Sequence, residues 1–207
     1  MRSAYHYLQI TGVLRIGLLL ALLFAGSRVL HAEAETGVAK AIFAGGCFWC
    51  MEKPFDDLDG VLETTSGYTG GEIVDPSYEE VASGRTGHIE AVQVEYDPSK
   101  VSYGELLDVF WRNIDPLDGG GQFCDRGQQY SSAIFYGNAN QEKLALESKQ
   151  SISTQFEDSI ATEVVPLSRF FAAEEYHQNY YKKNPLRYKF YRFNCRRDNR
   201  LNELWAS

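Results

Sequence analysis

Cys47 and Cys50 frame the run Gly45-Gly46-Cys47-Phe48-Trp49-Cys50. A thiolate is both a nucleophile and a reductant, and its pKa and access decide how reactive it is. Just before the run, Lys40 to Ala44 (KAIFA) reads as a strand buried on both faces. Just after it, Phe48, Met51, Phe55 and Leu58 recur at helical spacing. Cys47 therefore falls at a helix start, where unpaired backbone N–H groups and the helix dipole favour an anion. The expectation is a thiol of lowered pKa, acting as the nucleophile. The two glycines permit a tight strand-to-helix turn and close approach of a substrate. The competing reading, a small buried structural cysteine, does not account for this placement.

Cys50 completes a C-x-x-C and leaves three readings open. It is one half of a redox pair, part of a four-cysteine zinc site with Cys124 and Cys195, or inert. Zinc sites draw on close-spaced ligand pairs, and Cys124 and Cys195 lie far apart in the chain. Four cysteines allow three pairings, and the sequence does not choose among them.

Glu90 lies in the alternating run His88 to Tyr96 and shares a face with Val92, Val94 and Tyr96. A carboxyl on an apolar strand face can hold its proton at neutral pH and donate it. It can equally be an edge carboxylate paired with His88 or Arg85, and the pattern leaves both open. Tyr78, Tyr130 and Asp125 offer polar groups from loops, unremarkable alone in a chain with 13 tyrosines. His177 in EEYHQNYY reads as a surface or core histidine, not a ligand.

The elements that must position these groups follow from periodicity and turn signals. The helix after Cys47 is expected to kink at Pro54, which lacks the N–H for the carbonyl of Cys50. Strands are expected at Val61 to Tyr68, His88 to Tyr96, Ser132 to Tyr136 and Ile160 to Leu167. A short helical turn is expected near Tyr78 to Ala82, and an amphipathic helix through Leu106, Leu107, Phe110 and Ile114. Further helices are expected at Asn140 to Phe156 and Phe170 to Lys182, with a long loop from Asp115 to Gln129. Helices of this kind must cover a sheet, so the expected fold class is α+β, a two-layer sandwich with a mixed sheet.

The chain of 207 residues supports one ordinary domain. A net charge of −8 is opposite to that of a typical nucleic-acid binder. The basic stretch Arg187 to Arg200 reads as a solvated terminal segment. Residues 1–34 read as a signal peptide: Arg2 and Arg15, an apolar run Ile16 to Ala25, then Ala32-Glu33-Ala34 at a cleavage site. The alternative is an uncleaved anchor, for which the apolar run is short. The expected domain then spans residues 35–207, exported to the periplasm or secreted.

GCFWC, SGYTGG at Ser66 to Gly71 and SYEEVASGRTGHIEAVQVEYDP at Ser77 to Pro98 resemble the A-type peptide-methionine sulfoxide reductases. So do FCDRGQQYSSAIF at Phe123 to Phe135 and YHQNYYKKNP at Tyr176 to Pro185. The resemblance covers nearly all of the chain after the leader. It implies a ferredoxin-like core and reduction of the S epimer of methionine sulfoxide, free or in oxidised proteins. It implies Cys47 as attacking thiolate, Glu90 as the acid, Tyr78 and Tyr130 as hydroxyls binding the sulfoxide oxygen, and Asp125 as a further active-site carboxylate. Phe48 and Trp49 resemble the apolar wall around the substrate methyl group. No metal or organic cofactor is implied, only an external dithiol such as thioredoxin or a thioredoxin-like protein. Nucleic acid is not an expected partner, and a membrane is one only during export.

Two departures bear on recycling. Many relatives carry a small residue in place of Cys50, and many end in a glycine-rich tail with recycling cysteines. Here the tail is RYKFYRFNCRRDNR, with Cys195 alone. Cys195 is the expected first resolver of the oxidised Cys47, with Cys124 or Cys50 as relay. The rival readings are a disulfide exchange protein using Cys47 and Cys50, and a small zinc-stabilised binding module.

Overall fold

Strand β1 (Ala39–Gly45) carries the KAIFA run and is buried from Ala41 onward. In the computed structural model, which describes residues 37–205, it leads directly into helix α1 (Phe48–Asp56). Strand β2 (Val61–Thr69), helix α2 (Tyr78–Ala82), strand β3 (Ile89–Tyr96) and helix α3 (Tyr103–Arg112) follow. Then come β4 (Gly121–Gln122), β5 (Asp125–Arg126), a single 3-10 turn (Gln128–Tyr130), β6 (Ser132–Tyr136) and α4 (Ala139–Ser153). The chain ends with β7 (Glu163–Pro166), β8 (Phe170–Ala172), α5 (Tyr180–Lys183), α6 (Pro185–Asn194) and α7 (Arg197–Trp205). The expected leader over residues 1–34 lies outside the described residues.

The main sheet has the order β7-β6-β1-β3-β2-β8. All neighbours are antiparallel except β6 and β7, so the sheet is mixed, as expected. Its inner four strands, with α1 between β1 and β2 and α3 between β3 and β6, form a ferredoxin-like core. β1 lies between β3 and β6, so its last residues deliver Gly46 and Cys47 to the end of a fully paired strand.

One sheet face is covered by helices. Phe43 of β1 stacks on Phe55 of α1 at 5.1 Å and on Phe110 of α3 at 5.2 Å, which ties both helices to the same strand. Removing a buried ring of this kind costs about 3–5 kcal/mol. The opposite face carries a smaller cluster of Ile42, Ala44, Ala91, Ala133 and Phe135 under Val165, Leu167 and Phe170. Helix starts are set locally. Ser77 with Glu80, and Ser102 with Glu105, form capping boxes that fix α2 and α3.

Several sequence expectations are corrected. Helix α1 runs through Pro54 to Asp56 without a break, since Pro54 falls near its end and removes one terminal bond only. The strand expected from Ile160 shortens to Glu163–Pro166. The loop Asp115 to Gln129 is in part a hairpin, β4 against β5, opened by Gly121 at φ 136°. The helix expected from Phe170 to Lys182 is overturned. Phe170–Ala172 pairs with β2, and Gly67 there admits the carbonyl of Phe171, which would lie 2.3 Å from a Cβ. Helix α5 starts only at Tyr180, where the Glu52 carboxylate accepts the N–H groups of Asn179 and Tyr180.

The solvated terminal segment is overturned as well. Residues from Arg187 to Arg200 form α6 and α7, and Arg197 is 1% exposed. Its guanidinium donates to the carbonyls of Gly45 and Asn113, at 3.0 and 2.6 Å, and to the sulfur of Met51. Those carbonyls end β1 and α3, so a cation at this point satisfies two chain ends at once.

Candidate active site

Cys47 is the N-cap of α1, with Gly46 before it at φ 80°. A Cβ at Gly46 would lie 2.5 Å from Cβ of Gln122, so only glycine fits both the angle and the space. The thiol is buried, at 6% exposure. The first free N–H of the helix, that of Phe48, does not point at the thiol. It donates to the carboxylate of Glu90 at 3.0 Å.

Glu90 sits on the central strand β3 opposite Tyr68 and is 1% exposed. It pairs with neither His88 nor Arg85. His88 instead meets the N–H of Gly71 and the carbonyl of Ile73. Burial pushes the Glu90 pKa up to about 8, against the pull of the Phe48 N–H, and nearby Asp125 and Cys50 add to the rise. The carboxyl is thus protonated at neutral pH, as its apolar strand face suggested.

Cys47 behaves differently from its sequence expectation. Burial raises its pKa well above the ordinary thiol value, and the hydrogen bond with Cys50 pushes the same way. The helix terminus does not overcome this, because its leading N–H is spent on Glu90. The lowered thiol is Cys50, at about 7. The hydrogen bond from Cys47 is the main cause, with Arg197 and Arg192 adding to it against burial. The pair therefore shares one proton, held on Cys47 and aimed at Cys50.

Around this pair lie the other expected residues. Tyr78 opens α2, and burial pushes its hydroxyl up to about 12. Tyr130 closes the 3-10 turn and is raised by burial, then by Glu90 and Tyr78. Both hydroxyls therefore stay protonated and able to donate. Asp125, in β5, is raised by burial and accepts from the Tyr191 hydroxyl, which also reaches Cys47. Trp49 stacks on Tyr180 at 3.7 Å between ring centres, and Phe48 lies against Tyr68 and His177.

The sequence assigned no role in this site to several residues that build it, among them His177, expected at the surface or in the core and found in the core. His177 is 1% exposed and accepts the Trp49 indole N–H on Nδ1 at 3.0 Å. Its ring is 4.4 Å from that of Tyr78. Glu174 accepts from the Tyr68 hydroxyl and the Tyr78 N–H. Tyr191 and Arg197 come from the tail that was read as solvated. Pattern gave no sign of these, because each works through a partner more than 65 residues away.

The cysteines fall into two pairs. Cys47 and Cys50 are free and buried. Cys124 and Cys195 form a disulfide across 71 residues, with Cα atoms 4.9 Å apart. A single four-cysteine site, one of the sequence alternatives, is therefore not assembled. What the centre can do chemically is attack an electrophilic atom with a thiol that lies beside a carboxyl neutral at pH 7.

The family model for peptide methionine sulfoxide reductase matches residues 39–207. The chain is 53% identical to peptide methionine sulfoxide reductase MsrA of Bacillus licheniformis over 168 residues, 80% of this chain and 93% of that protein. Among solved structures it resembles reduced Mxr1 from Saccharomyces cerevisiae, with a TM-score of 0.69 and 34% identity over 72% of this chain and 87% of that one. It also resembles Mxr1 in complex with Trx2, with a TM-score of 0.51 and 26% identity over 69% of this chain and 84% of that one. With its thiol pair, its neutral carboxyl and these likenesses, the chain belongs to the A-type peptide methionine sulfoxide reductase family and carries out thiol-dependent reduction of methionine sulfoxide.

Proposed function

We propose that Cys47 attacks the sulfur of the S epimer of methionine sulfoxide while Glu90 protonates its oxygen. The observation that carries this is the Phe48 N–H to Glu90 contact, which seats a neutral carboxyl beside the thiol. A sulfoxide sulfur is a good electrophile only when its oxygen is protonated or strongly hydrogen-bonded, and preorganised donors supply that. Tyr78 and Tyr130 hydrogen-bond the oxygen, and Phe48 and Trp49 hold the methyl group. Asp125 holds the Tyr191 hydroxyl toward the thiol. Cys50, as the acidic member of the pair, takes the proton from Cys47 as the substrate seats.

Methionine leaves and Cys47 becomes a sulfenic acid. Cys50 then attacks it, releasing water and closing a Cys47–Cys50 disulfide. Cys50 is favoured over Cys195 because it is free and in contact with Cys47, whereas the Cys195 sulfur is bonded to Cys124. A thioredoxin-type dithiol restores the thiols, which accords with the relative solved with Trx2. The leader pattern favours an exported enzyme that works on oxidised proteins or free methionine sulfoxide in the periplasm or outside the cell.

The test is turnover of stereochemically resolved methionine sulfoxide with dithiothreitol, read by chiral chromatography. Loss of the S epimer alone is expected. Equal loss of both epimers would remove the assignment.

A further inference from the structure

Tyr78 has to hold its hydroxyl steady beside the thiol, yet its own helix is a weak anchor. Helix α2 has five residues, and Val81 is the one that is buried. A helix this short does not stand by its own hydrogen bonds, so its place must be set by ties to other elements. At its C-terminal end the Gln129 side-chain amide donates to the Ala82 carbonyl at 3.1 Å, which links α2 to the turn that carries Tyr130. At its N-terminal end the capping box of Ser77 and Glu80 closes within the helix. The box leaves the Tyr78 N–H over, one of the unpaired donors of a helix start. Glu174 accepts that N–H on Oε1 at 2.8 Å.

Glu174 spans two elements. Its Oε2 accepts the hydroxyl of Tyr68, from β2, at 2.9 Å. Tyr68 is fully buried, stands opposite Glu90 across β2 and β3, and sets its ring 5.9 Å from that of Phe48. One carboxylate therefore joins the start of α2 to the strand residue beside Glu90. Hydrogen bonds to an ionised acceptor are roughly twice as strong as neutral ones, so the link is a firm one.

The backbone of Glu174 is itself pinned to β2. The Ala173 N–H donates to the Ser66 carbonyl at 2.8 Å. Beyond Glu174, the Gln178 side chain accepts the Ser66 N–H and donates to the carbonyls of Ser66 and Ala173. The same turn meets the Tyr78 ring. The His177 N–H donates to the Glu174 carbonyl at 2.9 Å, and the His177 ring lies 4.4 Å from that of Tyr78. Residues 173–178 thus grip Tyr78 by its backbone and by its ring.

We propose that Glu174 is a positioning residue of the reduction, holding Tyr78 so that its hydroxyl meets the sulfoxide oxygen that Glu90 protonates. The proposal rests on the oxygen-binding role of Tyr78. With its oxygens engaged by Tyr68 and Tyr78, Glu174 acts through them and not on the substrate. The Tyr78 hydroxyl lies close enough to Glu90 and Cys47 for their ionised forms to act on it. A small shift of α2 therefore misplaces a donor at the reacting oxygen, and a misplacement of about 1 Å can cost about 10²-fold in rate. Such a donor counts most as charge develops on the oxygen, so the loss falls on the first chemical step more than on KM.

A double-mutant cycle on the single-turnover rate of methionine formation, at saturating sulfoxide, separates positioning from bulk structure. Glu174→Ala is expected to lower that rate about ten- to hundredfold when Tyr78 is present. In a Tyr78→Phe background, with no hydroxyl left to misplace, the same change is expected to cost less than about twofold, since effects through one group do not add. Glu174→Gln is expected to restore most of the rate, because its amide oxygen still accepts the Tyr78 N–H and its N–H can donate to the Tyr68 oxygen. If Glu174→Ala lowers the denaturation midpoint below the assay temperature, Glu174→Asp, which draws the carboxylate back by one methylene, carries the same cycle. Equal losses in the two backgrounds, or no loss in either, would overturn the role of Glu174 while leaving that of Tyr78 intact. A wild-type rate in Tyr78→Phe alone would instead overturn the oxygen-binding role of Tyr78, and the proposal with it.

Discussion

Cys50 and Cys124 belong to the same residue type and lie within one small domain, yet their surroundings give them opposite work. Cys50 is enclosed by Tyr180 and Tyr188, contacts another thiol and feels the guanidinium groups of buried Arg197 and half-buried Arg192. Cys124 stands in solvent on a two-strand hairpin and is bonded to the tail. Burial with fixed charges tunes a thiol for chemistry, whereas exposure makes it available to a partner. The division teaches that the end of the sheet buries one pair of thiols together, while the hairpin and the tail hold the other pair as a disulfide.

The largest effect should come from the buried pair. Cys47→Ser is expected to abolish methionine formation in a single turnover, while Cys50→Ser still forms one methionine per chain and accumulates a sulfenic acid that a dimedone-type probe traps. A stoichiometric burst from Cys47→Ser would end its role as nucleophile.

Glu90→Gln comes next. General acid catalysis contributes about 10²–10⁴-fold, and a loss in that range is expected in the first step. The pH profile sharpens the point. Activity needs the Cys50 thiolate that takes the proton from Cys47, and a protonated Glu90, so the wild-type rate should rise with pH near 7 and fall as pH passes about 8. The descending limb should vanish in Glu90→Gln, and its persistence would assign the limb to another group. For stability the sign is opposite to that of a salt-bridged acid. A folded pKa raised above the unfolded value makes the native state the better proton binder, so this group's contribution is lost as pH rises toward about 8.

Arg197→Met tests whether the tail tunes the buried pair. It leaves the carbonyls of Gly45 and Asn113 without their donor. Each unsatisfied buried group costs about 1–3 kcal/mol, so a clear drop in the denaturation midpoint is expected. The Cys50 thiol should also titrate higher, read as alkylation rate against pH. A fall in stability with no shift in that titration would make Arg197 structural only.

The smallest effect is expected from His177→Phe, which removes the acceptor for the Trp49 indole. We expect the KM for peptide sulfoxide to rise by about tenfold or less, as for one lost hydrogen bond of about 0.5–1.5 kcal/mol. His177→Asn, whose side-chain oxygen can replace Nδ1, should restore most of it. An unchanged KM in His177→Phe would show that Trp49 needs no such support.

The sheet and its catalytic edge were legible because their signals are local. KAIFA, the glycine pair and the helical spacing after Cys47 lie next to one another in sequence, and Glu90 sits in a strand that alternates. The Cys47 pKa was misjudged for a physical reason. Sequence shows a helix N-terminus but not that its first N–H is taken by a carboxylate 42 residues away. The tail was misread because its order comes from distant partners. Phe170–Ala172 becomes a strand only because β2 offers an edge, and Arg197 is buried only because two strand and helix ends need a donor. Aromatic and basic residues without such partners do look solvated.

The most direct test is a rapid-quench single turnover of the enzyme with Cys124–Cys195 joined, using the S epimer and mass mapping of each cysteine with time. The account expects methionine to appear together with a sulfenic acid on Cys47, followed by a Cys47–Cys50 disulfide, at one methionine per chain. Methionine formed while Cys47 stays an unmodified thiol, or a first new linkage that omits Cys47, would contradict it.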